Sequence, residues 1–385
     1  MPDLRLRPCF AAAGTLVTAM ALAGCSGAGA ASIASSSTWI EVSVDRCGSG
    51  WTDPVPGPQR FVLDDTDTRP GEVYLTDARS GDVYAEVDPL AAGATQTVDI
   101  TLGAGTYAFR CAMEDEQTVV GPTVTISTGP KTSLAPVRAV AQADLIEATR
   151  AYESYVSGQL PTLASLTARL QADLGYGDLA AARADWLPAH LEYERLGAAY
   201  GAFGELDDEI DGLPDGRTDG TADPSWTGFH RLEYGLWHGQ DAATLRPVAD
   251  VLAASVGRLQ RTFATAQIDP LDLSLRAHEI TENALQFELT GRTDFGSGSN
   301  LQSVAANLEG TATVLGILKP LLADRFPQLP QTLAWLERTR ADVAAAPALA
   351  ALTRGQRERI DADVAQLAED LAPVASMLEP RRVDQ

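Results

Sequence analysis

Two hydrophobic rhythms divide the chain. Up to about residue 129, apolar and polar positions alternate in short runs, at 39–44, 60–63, 72–76, 83–87, 97–102, 106–111 and 123–127. Gly, Pro and Asp clusters separate these runs, and alternation with such punctuation predicts half-buried strands in a small antiparallel sandwich or barrel. Beyond Ser133 the period lengthens to 3.6, with Ala, Leu, Glu and Arg filling long amphipathic segments. These predict helices over about 135–172, 178–204, 224–238, 244–266, 271–290, 299–322, 329–345 and 354–378. Gly175-Tyr176-Gly177 separates the first two, and Asp178 is placed to cap the second. Short connections make neighbouring helices antiparallel, so the eight fit two four-helix bundles. The domain plan is a β domain over 38–129, a Pro-flanked linker over 130–137 and a helical domain over 138–380.

The first residues follow neither rhythm. Arg5 and Arg7 precede an apolar run from Phe10 to Leu22, too short to span a bilayer as a helix but suited to a secretory signal. The run ends in Leu22-Ala23-Gly24-Cys25, which resembles the lipobox of bacterial lipoproteins. That resemblance implies a signal peptide over 1–24, lipidation of Cys25, and a Ser/Gly/Ala-rich tether over 25–37. The protein is then expected outside the cytoplasm, lipid-anchored to the outer face of the cytoplasmic membrane. No other run is long and apolar enough to cross a membrane.

Composition adds two constraints. With 29 basic and 52 acidic residues the formal charge is −23, which argues against nucleic acid or an anionic membrane surface as a partner. Of four cysteines, Cys9 leaves with the signal and Cys25 takes the lipid, leaving Cys47 and Cys111 to act in the folded protein. Outside the cytoplasm a lone pair forms either a disulfide or part of a shared metal site.

Candidate chemistry collects in the helical half, which holds all four histidines, His190, His230, His238 and His278. His230 and Glu233 are three residues apart, close to one turn, so both project from one helix face and could grip one metal ion. Asp223-Pro224 is the expected start of their helix, with Asp as N-cap and Pro at the first position. Glu192 and Glu194 lie on the preceding helix, and Glu205 to Asp211 carries five carboxylates in seven residues, read as a mainly solvated loop. On the fifth helix Leu275, His278, Glu279, Glu282, Gln286 and Leu289 fall near one stripe. Its polar members need partners, either a cation or hydrogen bonds from neighbouring helices.

The segment Gly228-Phe229-His230-Arg231-Leu232-Glu233 resembles the GxHxxE signature of imelysin-like proteins, and in particular of the EfeO-type components of EfeUOB iron uptake systems. Tyr193-Glu194-Arg195, Ile210-Asp211, Ala249-Asp250, Arg276 to Ile280, Phe287 to Gly291 and Ala306 to Gly310 are also similar to family segments, so the likeness covers roughly 138–380. The family resemblance implies a metal-binding lipoprotein that captures ferric or ferrous iron and delivers it to a membrane permease, with a haem peroxidase in the same system. It implies His230 and Glu233 as ligands, joined first by Glu194 and Asp250 and next by Glu282. Carboxylates with imidazole suit a fairly hard ion; copper and zinc are the alternatives. The longer EfeO-type proteins carry a cupredoxin-like domain, and Cys47 and Gly105 to Cys111 resemble its cysteine positions. No histidine precedes His190, so an ordinary blue-copper site is impossible there. A metal would need Cys47, Cys111, Met113 and carboxylates such as Glu86 or Glu114, and the favoured reading is a Cys47–Cys111 disulfide. Two rival functions remain, a metallopeptidase, since imelysin-like proteins have been grouped with peptidases, and a structural or adhesion lipoprotein. A zinc peptidase of the HExxH kind needs a second histidine at i+4, where this chain has Tyr234.

Overall fold

The computed structural model describes residues 37–382. Cys25, the signal segment and nearly all of the tether lie outside the described residues.

The alternating half folds as two packed sheets. One orders β1 (Thr38–Val42), β2 (Gly57–Asp65) and β5 (Thr95–Leu102); the other orders β4 (Val83–Leu90), β3 (Gly71–Asp77), β6 (Gly105–Met113) and β7 (Val119–Val120), with β8 (Val124–Ile126) also on β6. Inward positions two apart build the core: Phe61 and Leu63 from β2, Val73 and Leu75 from β3, Tyr107, Phe109 and Cys111 from β6. Trp51 caps it, its ring 4.9 Å from Phe61 and 6.0 Å from Phe109. The expectation of purely antiparallel strands fails at one place, because β1 runs parallel to β2. The connection from Val42 to Gly57 is long enough to cross over, which a tight hairpin is not. That connection carries Cys47, joined to Cys111 as a disulfide with Cα atoms 5.8 Å apart.

The helical half contains α1 (Gln142–Tyr176), α2 (Leu179–Glu194), short α3 (Tyr200–Phe203) and α4 (Glu205–Asp211), α5 (Gly228–Trp237), α6 (Ala242–Thr262), α7 (Pro270–Asn283), α8 (Asn300–Leu322), α9 (Leu329–Ala345) and α10 (Arg354–Leu378). Helices α1, α2, α5 and α6 pack as one bundle and α7 to α10 as another. In α10 the buried residues Ile360, Val364, Leu367, Leu371, Val374 and Leu378 are spaced by three and four, one stripe facing the core. Gly177, at φ 78°, closes α1 in the left-handed conformation, and the Asp178 carboxylate accepts from the Ala180 and Ala181 amides to start α2.

Four boundaries depart from the sequence pattern. Helix α1 begins at Gln142 rather than 135 because Val137 is paired with Val83, both bonds 2.8 Å, and Val140 bridges Pro380. The predicted 178–204 helix stops at Glu194. The acidic stretch 205–211 is helical rather than a loop. Helix α7 gives way after Asn283 to one π-turn over Ala284–Glu288. The last three changes surround the site.

Candidate metal centre

His190 and Glu194 close α2, Asp211 ends α4, and His230 lies in the first turn of α5. What joins them is the entry into α5. Gly228 sits at φ 88°, and a Cβ there would stand 2.3 Å from the Ile210 carbonyl oxygen, so only glycine lets α5 press against the end of α4. Thr227 is the residue before the helix, its hydroxyl donating to the Glu209 carbonyl at 2.9 Å. The expected start at Asp223-Pro224 is therefore corrected: the Asp223 carboxylate is occupied by the amide and hydroxyl of Ser225, at 2.9 and 2.6 Å, in a turn before the helix.

Ligand atoms of His190, Asp211 and His230 lie within 4.8 Å of one another, the one group of three such residues among those described. Nε2 of His190 is 3.2 Å from both Glu194 Oε1 and Asp211 Oδ1, and Nε2 of His230 is 3.7 Å from Asp211 Oδ1. His190 and His230 are 2% and 3% exposed. Neither ring nitrogen of His190 nor Asp211 Oδ1 is aligned for a hydrogen bond. Buried polar atoms normally find partners. Here they converge on a common point without bonding to each other, as ligands of one cation do.

Glu233 has a different place from the one expected. Its Oε1 accepts from the Phe295 and Ser297 amides at 3.1 and 3.0 Å and from the Ser297 hydroxyl at 2.5 Å. Its Oε2 faces His230 Nδ1 at 3.4 Å. The carboxylate thus faces one nitrogen of the His230 ring, and Nε2 is the nitrogen turned toward Asp211. Glu194 is at the site, its Oε2 held by the Asn307 amide at 2.6 Å while Oε1 faces His190. Asp250 is not, because it is exposed on α6 and accepts from Gln171 at 2.7 Å. Glu282 pairs with His278 Nε2 at 3.3 Å, and His278 Nδ1 meets the Ala368 carbonyl at 2.9 Å, so the polar stripe of α7 is satisfied by neighbours. His238 lies exposed against the Tyr234 carbonyl. Cys47 and Cys111, bonded to each other, offer no thiolate to a metal; Met113 is buried in the sandwich core and Glu86 is paired with Arg381.

The sequence reading missed His190 and Asp211 as members of this cluster and Glu288 as a neighbour. His190 stands four residues before Glu194, a same-face spacing that could have found it. Asp211 was hidden in the acidic run, and Glu288 is turned inward by the π-turn, an element common at functional sites.

Electrostatics follow from burial. Burial alone would lower the His190 imidazole, yet Asp211 and then Glu194 hold it well above the ordinary histidine value. Burial likewise pulls His230 down, and Asp211 and Glu233 bring it above its ordinary value. Burial, reinforced by Glu194, pushes the Glu288 carboxyl up to about 7. Burial raises Asp207 to about 6, against the opposing bond from the Tyr193 hydroxyl. A metal ion held among these groups would displace their protons and relieve the same charge. A cavity of about 180 Å³ opens beside the cluster, lined among others by Glu194, Asp211, His230 and Glu288.

Comparison with known proteins gives the same half of the chain a family. The imelysin model (peptidase M75) matches residues 148–380. An iron uptake system component EfeO from Yersinia pestis is 29% identical over 307 residues, covering 77% of this chain and 79% of its own length. A protein of the same name from Yersinia pseudotuberculosis is 28% identical over 303 residues, with the same coverage. One from Escherichia coli is 26% identical over 318 residues, covering 77% of this chain and 80% of its own length.

Proposed function

The chain belongs to the imelysin family, and from that premise we propose that it is the metal-capturing component of an iron uptake system. It works outside the cytoplasm, held to the membrane through Cys25, and hands its cargo to a membrane permease with a haem peroxidase in the same system. The ion is held by Nε2 of His190 and His230 and by Asp211, with Glu194 Oε1 as the nearest further oxygen. Glu233 and Asn307 fix the orientation of His230 and Glu194. The supporting observation is the convergence of three buried ligand atoms within 4.8 Å, with Asp211 Oδ1 and His190 Nε2 left without hydrogen bonds. Two imidazoles and carboxylates suit iron, and they also suit zinc and copper, so metal identity is a matter for titration.

Calorimetric titration of the purified protein with Fe²⁺ under anaerobic conditions, and with Zn²⁺, tests the reading. The parent is expected to bind one ion, and the folded His190→Ala/His230→Ala variant none. A double variant that binds as the parent does places the site elsewhere. Chelator-sensitive cleavage of a peptide library by the parent would replace the transport reading with the peptidase one.

A further inference from the structure

The cavity beside the ligands is larger and differently furnished than a bare ion requires. Its volume of about 180 Å³ is several times the roughly 30 Å³ share of one water in the liquid. One end carries Glu194, Asp211, His230 and Glu288, while Arg276 and Asn283 line it from α7. A guanidinium on the wall of a cation site is electrostatically adverse unless something negative stands between the two. Arg276 is already bonded to Glu279 at 3.1 Å, through Nη1 alone, and rests 6.0 Å above the Tyr200 ring. Asp207 and Asp272 lie near enough to feel its charge. No hydrogen bond within the described residues engages the remaining N–H groups of Arg276, whose side chain is 23% exposed, and the Asn283 side chain stands exposed beside it. A guanidinium offers a planar fork matched to a carboxylate. At the ligand end, two imidazoles and one or two carboxylates leave a six-coordinate ion short of oxygen donors.

We propose that the protein takes its metal together with a small carboxylate anion, of the oxalate or carbonate class, which fills the cavity and joins the ion held by His190, Asp211 and His230 to Arg276. The substrate is then a metal–anion pair rather than a free cation. This deepens the metal-capture reading and rests on it. The anion supplies the missing oxygen ligands, and its charge lets Arg276 and the metal face one cavity.

Oxalate in solution competes for Fe²⁺, so a site that takes the ion alone shows weaker apparent affinity when oxalate is added. A site that takes the pair shows the opposite sign. Anaerobic Fe²⁺ titrations of the full chain with and without millimolar oxalate are expected to show tenfold or greater tightening. The Arg276→Gln variant, checked for folding by circular dichroism, should reverse the sign of the oxalate effect, and Arg276→Lys should recover part of it. Weakening by oxalate in the parent, or an unchanged oxalate effect in Arg276→Gln, overturns the proposal while leaving metal capture intact. Absence of Fe²⁺ binding in either buffer overturns the metal-capture reading itself.

Discussion

Two clusters of charged groups in this molecule are finished differently. Where the C-terminal segment crosses the sandwich, Arg381 gives Nε to Glu86 at 2.7 Å, Nη1 to the Glu379 carbonyl at 3.1 Å and Nη2 to the Ser376 carbonyl at 3.1 Å. Arg382 binds the carbonyls of Ala112, Met113 and Glu116. Each guanidinium there is held by several named partners. Around His190 the charges are at least as deeply buried, yet His190 Nε2, Asp211 Oδ1 and the Asn300 amide oxygen have no hydrogen bond. A structural ion pair completes its own bonding, whereas a binding site leaves its bonding open toward a ligand. The clasp holds the two halves of one compact unit, Ser37–Gln385, together.

Removing the open cluster should cost function and spare the fold, and removing the clasp should do the reverse. The largest effect is expected from His190→Ala/His230→Ala, which deletes two of three convergent ligands. Loss of at least a thousandfold in Fe²⁺ or Zn²⁺ affinity corresponds to about 4 kcal/mol, and titration calorimetry reads it. Circular dichroism and thermal unfolding of the metal-free variant check that it is folded, since two buried imidazoles are lost with it. In the clasp, Glu86→Ala strands the Arg381 guanidinium, whose side chain is 7% exposed. Breaking such a pair costs about 3–5 kcal/mol when fully buried. With Glu86 itself 22% exposed, about 2 kcal/mol is the expectation in urea unfolding, with unchanged metal affinity. A clasp variant that weakens metal binding tenfold would erase the distinction.

A subtler variant sharpens it. Glu233→Gln keeps the shape of the group that orients His230 but removes its charge and offers an amide where the Phe295 and Ser297 donors need an acceptor. Carboxylates behind a metal-bound imidazole are typically worth 10- to 100-fold in affinity, and that loss is expected, below that of the double histidine variant. A loss as large as the double variant's would make Glu233 a direct ligand.

Much of this contrast was legible before the fold. The two rhythms located seven of the eight strands, all but the two-residue β7, and the eight main helices, because burial on one face forces alternation in strands and a 3.6 spacing in helices. The pair His230 and Glu233 was visible for the same reason, since helical spacing is local. What escaped was tertiary. His190 and Asp211 meet His230 only because Gly228 permits close approach of α4 and α5, and no single-segment pattern encodes a meeting between helices. Asp250 looked equivalent to Glu194 in its segment, yet α6 turns it to solvent. The partners of Glu233, the amides of Phe295 and Ser297, were not visible because they come from a loop more than sixty residues away.

The smallest expected effect is on pH dependence. Glu288 holds its proton up to about 7 when folded against an ordinary value of 4.5, and Asp207 up to about 6 against 3.8. Between those limits the folded chain carries more protons than the unfolded one, so metal-free stability falls as pH rises from about 4.5 to 7. The raised His190 acts in the same direction above 6.5, since its contribution is full below that value and is lost as pH climbs through its folded one. In the sandwich, Asp99 is lowered by Arg60, and Asp67 is lowered by Arg69 and nearby amides that outweigh its burial. Their contribution is present above 3.8 and is lost only in stronger acid, whereas burial raises Asp65 and Glu72 and gives the sandwich a share of the upper-window trend. Metal-free protein should therefore melt a few degrees higher at pH 5 than at pH 7.5, on the order of 1–2 kcal/mol after allowing for coupling among the carboxyls. Saturating Zn²⁺ should invert the trend, because the metal displaces the same protons and binds better as pH rises. Calorimetric scans with and without metal read both slopes, and a metal-free protein that is steadier at pH 7.5 than at pH 5 would show that the buried cluster is not what sets the upper window.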